Sequence, residues 1–202
     1  MAALIEAAQA ADFPAEIVVV ISNKADADGL AKARESGVPT VTIESKPYGG
    51  DRTAFEAALQ SALDRNKVDL ICLGGFMRLF TAEFVQRWYG RMLNIHPSLL
   101  PSFPGLDPHR QALRAGVKIS GATVHFVIPE TDAGPILMQG AVAVRDDDTA
   151  DMLAARILAV EHRIYPDALR LVASGRTRLE GDVCRTAAST NPGDILISPD
   201  AS

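Results

Sequence analysis

Short apolar runs rich in β-branched residues alternate with segments of helical periodicity, and this alternation limits the possible fold more than any other feature. Residues 16–21 and 68–73 are runs of the first kind, whereas residues 51–66 have the apolar spacing of a helix. Strands that alternate with helices are joined by right-handed crossovers into a parallel sheet covered on both faces. We therefore predict an α/β protein with an open, mostly parallel, Rossmann-like sheet.

The order of the predicted elements also indicates where this parallel pattern ends. Residues 129–134 separate the last two long strands and are too few for a covering helix, so this pair is predicted to be antiparallel. Helices are predicted at residues 1–11, 26–35, 51–66, 81–89, 109–115 and 149–174, and strands at 16–21, 38–43, 68–73, 91–95, 122–127, 135–144 and 177–179. We expect one domain over residues 1–184, followed by a polar tail at 185–202 with at most a short ordered stretch at 195–197.

Charge and hydropathy exclude several classes of partner. The chain of 202 residues has a formal net charge of -5, and its basic residues are scattered, which argues against a nucleic-acid partner. No apolar run approaches the ~20 residues needed to span a bilayer, and the first eleven residues carry Glu6 and no basic residue, so we expect neither a membrane anchor nor a signal peptide. Cys72 and Cys184 do not form a spaced pair, which favours a reducing, cytoplasmic location.

Two polar residues occupy the end of an apolar strand. Asn94 and His96 project to the same side at the carboxyl end of the predicted strand 91–95, and Pro97 then ends ladder pairing. Ligands bind at this edge in open α/β sheets. An isolated Asn-x-His more often satisfies nearby backbone groups, so the interpretation as an active site depends on a third residue.

Asp132 is that third residue. It lies in the turn 130–134 between two predicted strands and is expected at the same sheet edge. An amide, an imidazole and a carboxylate suit acyl transfer to an amine: Asn94 and His96 would stabilise the oxyanion, and Asp132 would hold His96 and help to take a proton from the amine. A nucleophilic serine is not required, and the sequence contains no Gly-x-Ser-x-Gly elbow.

Two further histidines have different interpretations. His125, in the alternating strand 122–127, is interpreted as a structural histidine, and His109 as a residue that contacts substrate or orders the loop before it. None of the four histidines has a metal-ligand spacing to Cys, Asp or Glu, so no metal is predicted.

Five segments together resemble the glycinamide ribonucleotide formyltransferase family over residues 1 to about 180. They are SNKADA at 22–27, GFMR at 75–78, LNIHPSLLP at 93–101, FPGL at 103–106 and HRQAL at 109–113. The resemblance implies transfer of the formyl group of 10-formyltetrahydrofolate to the amine of glycinamide ribonucleotide in purine synthesis. It also implies that Asn94, His96 and Asp132 are catalytic.

The resemblance further implies binding positions for both small-molecule substrates. Arg52 matches the position that meets the glutamyl tail of the folate, and Glu161 matches the position that binds the ribose hydroxyls. Pro97 and His109 are expected on the ribonucleotide side. The positions implied for the pterin ring are Met77, Arg78, Leu79, Phe80, Asn94, Ile128, Pro129, Glu130, Thr131 and Asp132.

One element of the family pattern precedes Met1. The family begins with a strand and a Gly-x-Gly-(Ser/Thr)-Asn turn that cradles the substrate phosphate, and Met1 aligns directly after that asparagine. We expect the natural protein to carry this further strand and turn. If it does not, folate binding should survive better than ribonucleotide binding.

Three alternatives stay open at this point, two of them enzymes. A formyltetrahydrofolate deformylase and a methionyl-tRNA formyltransferase share parts of the pattern, although both are expected to need a further domain. A non-catalytic folate-binding module is the third. Both a monomer and a homodimer are compatible with the sequence.

Overall fold

The computed structural model describes residues 1–187, in which helices and strands alternate as far as the fourth strand. The helices are α1 Ala2–Ala8, α2 Asp28–Glu35, α3 Arg52–Arg65, α4 Ala82–Arg87, α5 Pro108–Ala115 and α6 Ala150–Ala173, with a 3-10 turn at Lys46–Tyr48. The strands are β1 Val20–Ser22, β2 Thr40–Thr42, β3 Ile71–Leu73, β4 Met92–His96, β5 Ile119–Phe126, β6 Ile136–Ala143, β7 Thr177–Glu180 and β8 Val183–Thr186.

The strands form three sheets. β1 and β2 pair in parallel, and β3-β4-β5-β6 form a sheet in which β3–β4 is parallel and the later pairs are antiparallel. β7 and β8 form an antiparallel hairpin. A cavity of about 970 Å³ lies between β1 and β3, lined by both strands, the segments that precede them and Leu4 of α1. The predicted α/β class is confirmed, and so is the antiparallel pairing of β5 with β6.

Helices bury apolar side chains on both faces of the four-stranded sheet. On one face Leu93 packs with β5 residues and with Leu153 and Ile157 of α6. On the other, Met92 packs with Phe55 of α3 and Phe84 of α4. Adjacent residues of β4 thus serve opposite cores, as the alternation of side chains along a strand requires.

The alternation also sorts the polar residues of β4 and β5. Asn94 lies opposite His125 and His96 opposite Thr123, and directly opposed residues project to the same side of the sheet. Ile95 and Val124 project to the other side and join the core beneath α6. The face that carries Met92 at its buried end therefore carries four polar residues at the end where β4 stops.

Most predicted elements are present, but they are shorter than the apolar runs from which they were predicted. The first strand was predicted over residues 16–21 and is observed at Val20–Ser22. It is shorter because a strand exists only where a neighbouring strand pairs with it, and β2 pairs with β1 over three residues. β8 was not predicted, since Arg185 and Thr186 were assigned to the tail. The two-residue turn Gly181-Asp182 joins β7 to β8, and Gly-Asp at this spacing is a hairpin signal. The predicted ordered stretch at 195–197 lies outside the described residues.

No helix within residues 1–187 is long and apolar enough to cross a membrane.

Candidate active site

The structure brings the three predicted catalytic residues together where β4 ends. Asn94 and His96 are the third and fifth residues of β4, and Asp132 lies in the turn that joins β5 to β6. Nδ1 of His96 is 3.4 Å from Oδ2 of Asp132, and these side chains are 8% and 9% exposed. An imidazole and a carboxylate so placed are largely removed from water, which strengthens their electrostatic interaction.

The conformation of the β5–β6 turn places Asp132 in the site. Asp132 has a φ of 53°, a left-handed conformation that aspartate tolerates better than most residues. Two residues later, a Cβ on Gly134 would lie 1.8 Å from the carbonyl oxygen of Phe126, so only glycine fits there. The turn is therefore held against the end of β5, with Asp132 directed at His96.

Residues of the loop after β4 cover the His96–Asp132 pair. A carbonyl oxygen only accepts hydrogen bonds, so Nε2–H of His96 donates to the carbonyl oxygen of Phe103, at 3.0 Å. The N–H of Gly105 donates to Oδ2 of Asp132, at 2.8 Å. The loop thus satisfies both the donor and the acceptor that chemistry at this edge would use.

His125 is a fourth polar residue of the cluster. It is 2% exposed, its Nε2 lies 3.3 Å from Nδ2 of Asn94, and the same Nε2 lies 3.8 Å from Oδ1 of Asp132. The sequence analysis interpreted His125 as a structural residue and did not predict that it lies beside Asn94 and Asp132. The alternation of Thr123 and His125 indicated a polar face on β5. That His125 lies opposite Asn94 could be learned only from the tertiary structure.

A buried polar network anchors the loop that follows His96. The Thr123 hydroxyl donates to the carbonyl oxygen of Ser98, at 2.7 Å, and accepts from the N–H of Leu100, at 3.0 Å. Nε2 of Gln139 donates to Thr123 Oγ1 and to the Leu100 carbonyl oxygen, at 3.0 and 2.9 Å. β5 and β6 thereby fix the loop at its start.

The first segment predicted to bind the pterin carries exposed apolar side chains beside a stack of phenylalanines. Met77 is 74% and Leu79 58% exposed. The Phe80 ring stacks between Phe76, at 5.0 Å, and Phe84, at 4.8 Å, and the half-buried Arg78 guanidinium lies 5.2 Å from the centre of the Phe55 ring. The segment therefore offers both apolar and polar groups at the surface.

Glu56 fixes the end of this segment. Its buried carboxylate accepts hydrogen bonds from the backbone N–H and the hydroxyl of Thr81. The Thr81 hydroxyl in turn accepts from the N–H of Phe84 and so caps α4. Sequence reasoning missed Glu56, because a single carboxylate on a helix has no distinguishing local signal.

The second predicted folate segment leads directly into Asp132. Ile128 is half-buried, whereas the three residues after it are exposed, namely Pro129, Glu130 and Thr131. Arg52 is the first residue of α3 and is exposed.

The residues predicted on the ribonucleotide side lie on three elements. Pro97 is half-buried and follows β4, and His109 is on α5, where burial and then the charge of His96 lower its pKa. Glu161 is one turn before Tyr165 on α6, and burial raises the pKa of the Glu161 carboxyl. The Tyr165 hydroxyl donates to the carbonyl oxygens of Leu73 and Leu93, at 2.7 and 3.2 Å, so this part of α6 packs against β3 and β4.

In the part of the chain that the structure describes, no three His, Cys, Asp or Glu side chains are placed to hold a metal ion.

The site combines an amide, an imidazole and a carboxylate at the mouth of an α/β sheet, without a nucleophilic serine among them. This combination defines the class of protein as a formyl transferase. The chain belongs to the formyl transferase family, whose model matches residues 1–169. Phosphoribosylglycinamide formyltransferase of Escherichia coli (strain K12) is 41% identical over 177 residues, which cover 88% of this chain and 83% of that protein. The resemblance inferred from the five segments is thus confirmed.

A second relative and a solved structure agree with this assignment. The trifunctional purine biosynthetic protein adenosine-3 of Gallus gallus is 51% identical over 172 residues, which cover 84% of this chain and 17% of that protein. The chain therefore spans less than a fifth of that relative. The crystal structure of glycinamide ribonucleotide transformylase 1 from Symbiobacterium toebii is 49% identical, has a TM-score of 0.88, and is matched over 92% of this chain and 87% of its own.

Proposed function

We propose that this protein transfers the formyl group of 10-formyltetrahydrofolate to the amine of glycinamide ribonucleotide, a step of purine biosynthesis. The observation that carries the proposal is the approach of His96 to Asp132, at 3.4 Å, beside Asn94 at the sheet edge. The identity to a phosphoribosylglycinamide formyltransferase across most of both chains supports the choice of substrates.

In the proposed reaction the amine nitrogen attacks the formyl carbon and the carbonyl oxygen becomes an oxyanion. An N–H of Asn94 and the Nε2–H of His96 donate hydrogen bonds to this oxygen, and Asp132 holds His96 in place. The amine loses one proton, for which Asp132 is the acceptor, as the new C–N bond forms. The bond between the formyl carbon and N10 then breaks, and N10 takes up one proton, so the protons balance.

This reaction requires the loop after β4 to release His96. The Nε2–H that would stabilise the oxyanion donates to the Phe103 carbonyl oxygen, and Asp132 accepts from Gly105. Substrate groups would take the place of these loop groups and offer partners of the same kind. His96 would donate to a substrate oxygen, and Asp132 would accept from a substrate donor. The exchange therefore costs little hydrogen-bond energy.

The folate is proposed to lie against the segment 77–80 and the segment 128–132. The exposed apolar side chains of segment 77–80 would pack against a flat heteroaromatic ring. The backbone N–H and carbonyl groups of both segments would bond the donors and acceptors on the edge of this ring. Asn94 borders the same slot. Arg52, exposed at the start of α3, provides a cation for the anionic glutamyl tail.

The ribonucleotide is proposed to lie on the opposite side of the catalytic cluster. Glu161 would accept hydrogen bonds from the ribose hydroxyls, and His109 and Pro97 would border the reacting amine. We assign this function to residues 1–184, in the cytoplasm, with small molecules as the partners.

The decisive assay mixes the purified chain with both substrates and measures formylated ribonucleotide and free folate separately. Equal amounts of both products support the transferase. Folate released without formylated ribonucleotide would instead identify a deformylase. Folate binding without turnover, both in this chain and in a version extended at its amino end, would identify a binding module.

Substitutions in the cluster test the roles of its members. His96→Ala and Asp132→Asn should each lower kcat by about 10²–10⁴-fold. The matched control is Glu35→Gln, at an exposed position at the end of α2. Unchanged kcat in either cluster variant would contradict the assigned role.

A further inference from the structure

His125 is buried on β5 directly opposite Asn94. It is 2% exposed and pairs with Asn94 across the β4–β5 ladder. On the other side of β5, the register with β6 shifts between Val124 and His125, so that His125 lies opposite Ile136. His125 therefore lies between two neighbouring strands of the sheet, and the Nε2 edge of its imidazole faces Asn94 and Asp132.

The hydrogen bonds of His125 define which of its nitrogens carries the proton. Nδ1 lies 2.9 Å from the carbonyl oxygen of Phe126, and a carbonyl oxygen accepts only, so Nδ1 bears the hydrogen. Burial is the largest influence on the pKa of His125 and lowers it, while the Phe126 carbonyl oxygen and Asp132 oppose and His96 adds to the lowering. The neutral imidazole thus presents an unprotonated Nε2 to β4.

An unprotonated Nε2 accepts a hydrogen bond from one orientation of the Asn94 amide. With the NH₂ group toward His125, Nδ2 lies 3.3 Å from Nε2 and donates to it. With the amide reversed, its oxygen would face the Nε2 lone pair, and two acceptors cannot form a hydrogen bond. The favoured orientation uses one N–H of Asn94 and leaves the second for another acceptor.

Asp132 explains why the neutral form of His125 matters. Its Oδ1 is 3.8 Å from Nε2, beyond hydrogen-bond distance, and its Oδ2 is directed at His96. A protonated His125 would attract the Asp132 carboxylate, compete with His96 for it, and no longer offer Asn94 an acceptor.

We propose that His125 is a positioning residue that fixes the Asn94 amide with its free N–H toward the formyl oxygen. This inference rests on the proposed formyl transfer. His125 itself touches neither substrate, so its effect is exerted through Asn94. Removing an oxyanion donor outright costs about 10²–10³-fold in kcat. Losing only the hydrogen bond that orients it should cost less, on the order of tenfold, which corresponds to about 1.4 kcal/mol and is the scale of one such bond.

Two substitutions separate the acceptor from the volume of the side chain. His125→Gln can place its amide oxygen near the position of Nε2, whereas His125→Leu fills similar space without an acceptor. We expect His125→Leu to lower kcat about tenfold with little change in KM, and His125→Gln to restore most of it. Val124→Ala, a buried truncation on the opposite face of β5, is the matched control for lost stability and should keep kcat when the protein is folded.

A double-mutant cycle tests whether the effect passes through Asn94. In an Asn94→Ala background, His125→Leu should cost less than about twofold in kcat. An equal cost in both backgrounds would overturn the proposal, as would failure of His125→Gln to exceed His125→Leu at equal thermal stability.

Nuclear magnetic resonance of the parent chain makes the inference testable without turnover. Nitrogen-proton correlations of the imidazole should show hydrogen on Nδ1 of His125 and none on Nε2, with one Asn94 side-chain N–H shifted by its hydrogen bond. A proton on Nε2 overturns the proposal even if formyl transfer is observed. If the predicted tautomer is found in a chain that does not transfer formyl groups, the proposed function has failed while the orientation of Asn94 stands.

Discussion

The hydroxyl of Thr123 makes three hydrogen bonds in the interior, so its removal should be costly. Thr123→Val keeps the shape of the side chain but deprives the Ser98 carbonyl oxygen and the Leu100 N–H of their partner. Ser98 and Leu100 are 0% and 4% exposed, so water cannot replace the hydroxyl at little cost. Gln139 keeps its bond to the Leu100 carbonyl oxygen and limits the damage.

The expected magnitude follows from the two groups left without partners. Each buried unpaired group costs about 1–3 kcal/mol, and the interior regains some stability because a hydroxyl no longer has to be desolvated, so we expect about 2–4 kcal/mol in total. For a protein of this size that lowers Tm by about 5–15 °C. Since Thr123 lies directly opposite His96 on the β4–β5 ladder, kcat should fall as well.

Thermal melting and urea unfolding would measure the loss, with an unchanged urea m-value as the check that only stability has changed. Thr123→Ser is the matched control, because it keeps the hydroxyl and loses a methyl worth about 1 kcal/mol. If Thr123→Val destabilises the protein no more than Thr123→Ser, the network does not anchor the loop.

Three further predictions follow from single contacts. Glu56→Leu should cost about 1–3 kcal/mol, because the Thr81 N–H loses its acceptor, and the KM for folate should rise severalfold; an unchanged KM would contradict the role of Glu56. Hydrogen bonds from Arg156 lower the pKa of Asp148 to about 2, so the pair stabilises the fold above about pH 4 and loses this effect as pH falls toward 2. The Tm gap between the parent and Arg156→Met should therefore narrow as pH falls, and a constant gap would contradict the assignment. Gly134→Ala should lower kcat at least tenfold, because an added Cβ displaces the turn that carries Asp132, and wild-type kcat would show that the turn adapts.

The regular elements could be predicted because their signals are local. A helix of the length of α6 needs only its own apolar spacing and its Thr149 cap, and both are visible in the sequence. Strand ends are less local, because pairing stops where the neighbour stops. β1 is therefore shorter than its apolar run, and β8 forms in a polar segment that depends on β7 for its partner.

The residues of the candidate site also divide into those with a local sequence signal and those without one. Asn94, His96 and Asp132 could be found from a strand end, a proline and a turn, and the family resemblance strengthened that interpretation. His125 and Glu56 could not, since a histidine in an alternating strand and a carboxylate on a helix are common in proteins of every function. Their contacts join residues 31 and 25 positions apart.

By itself, then, the sequence determined the α/β class, the helices and the residue types that are proposed to carry the chemistry. The tertiary structure alone decided the register between β4 and β5, which sets His125 against Asn94 and Thr123 against His96. A shift of one residue would turn both to the opposite face of the sheet. The physical reason is that periodicity records which face of an element is buried, whereas the partner that lies opposite each residue is selected by packing of the whole chain.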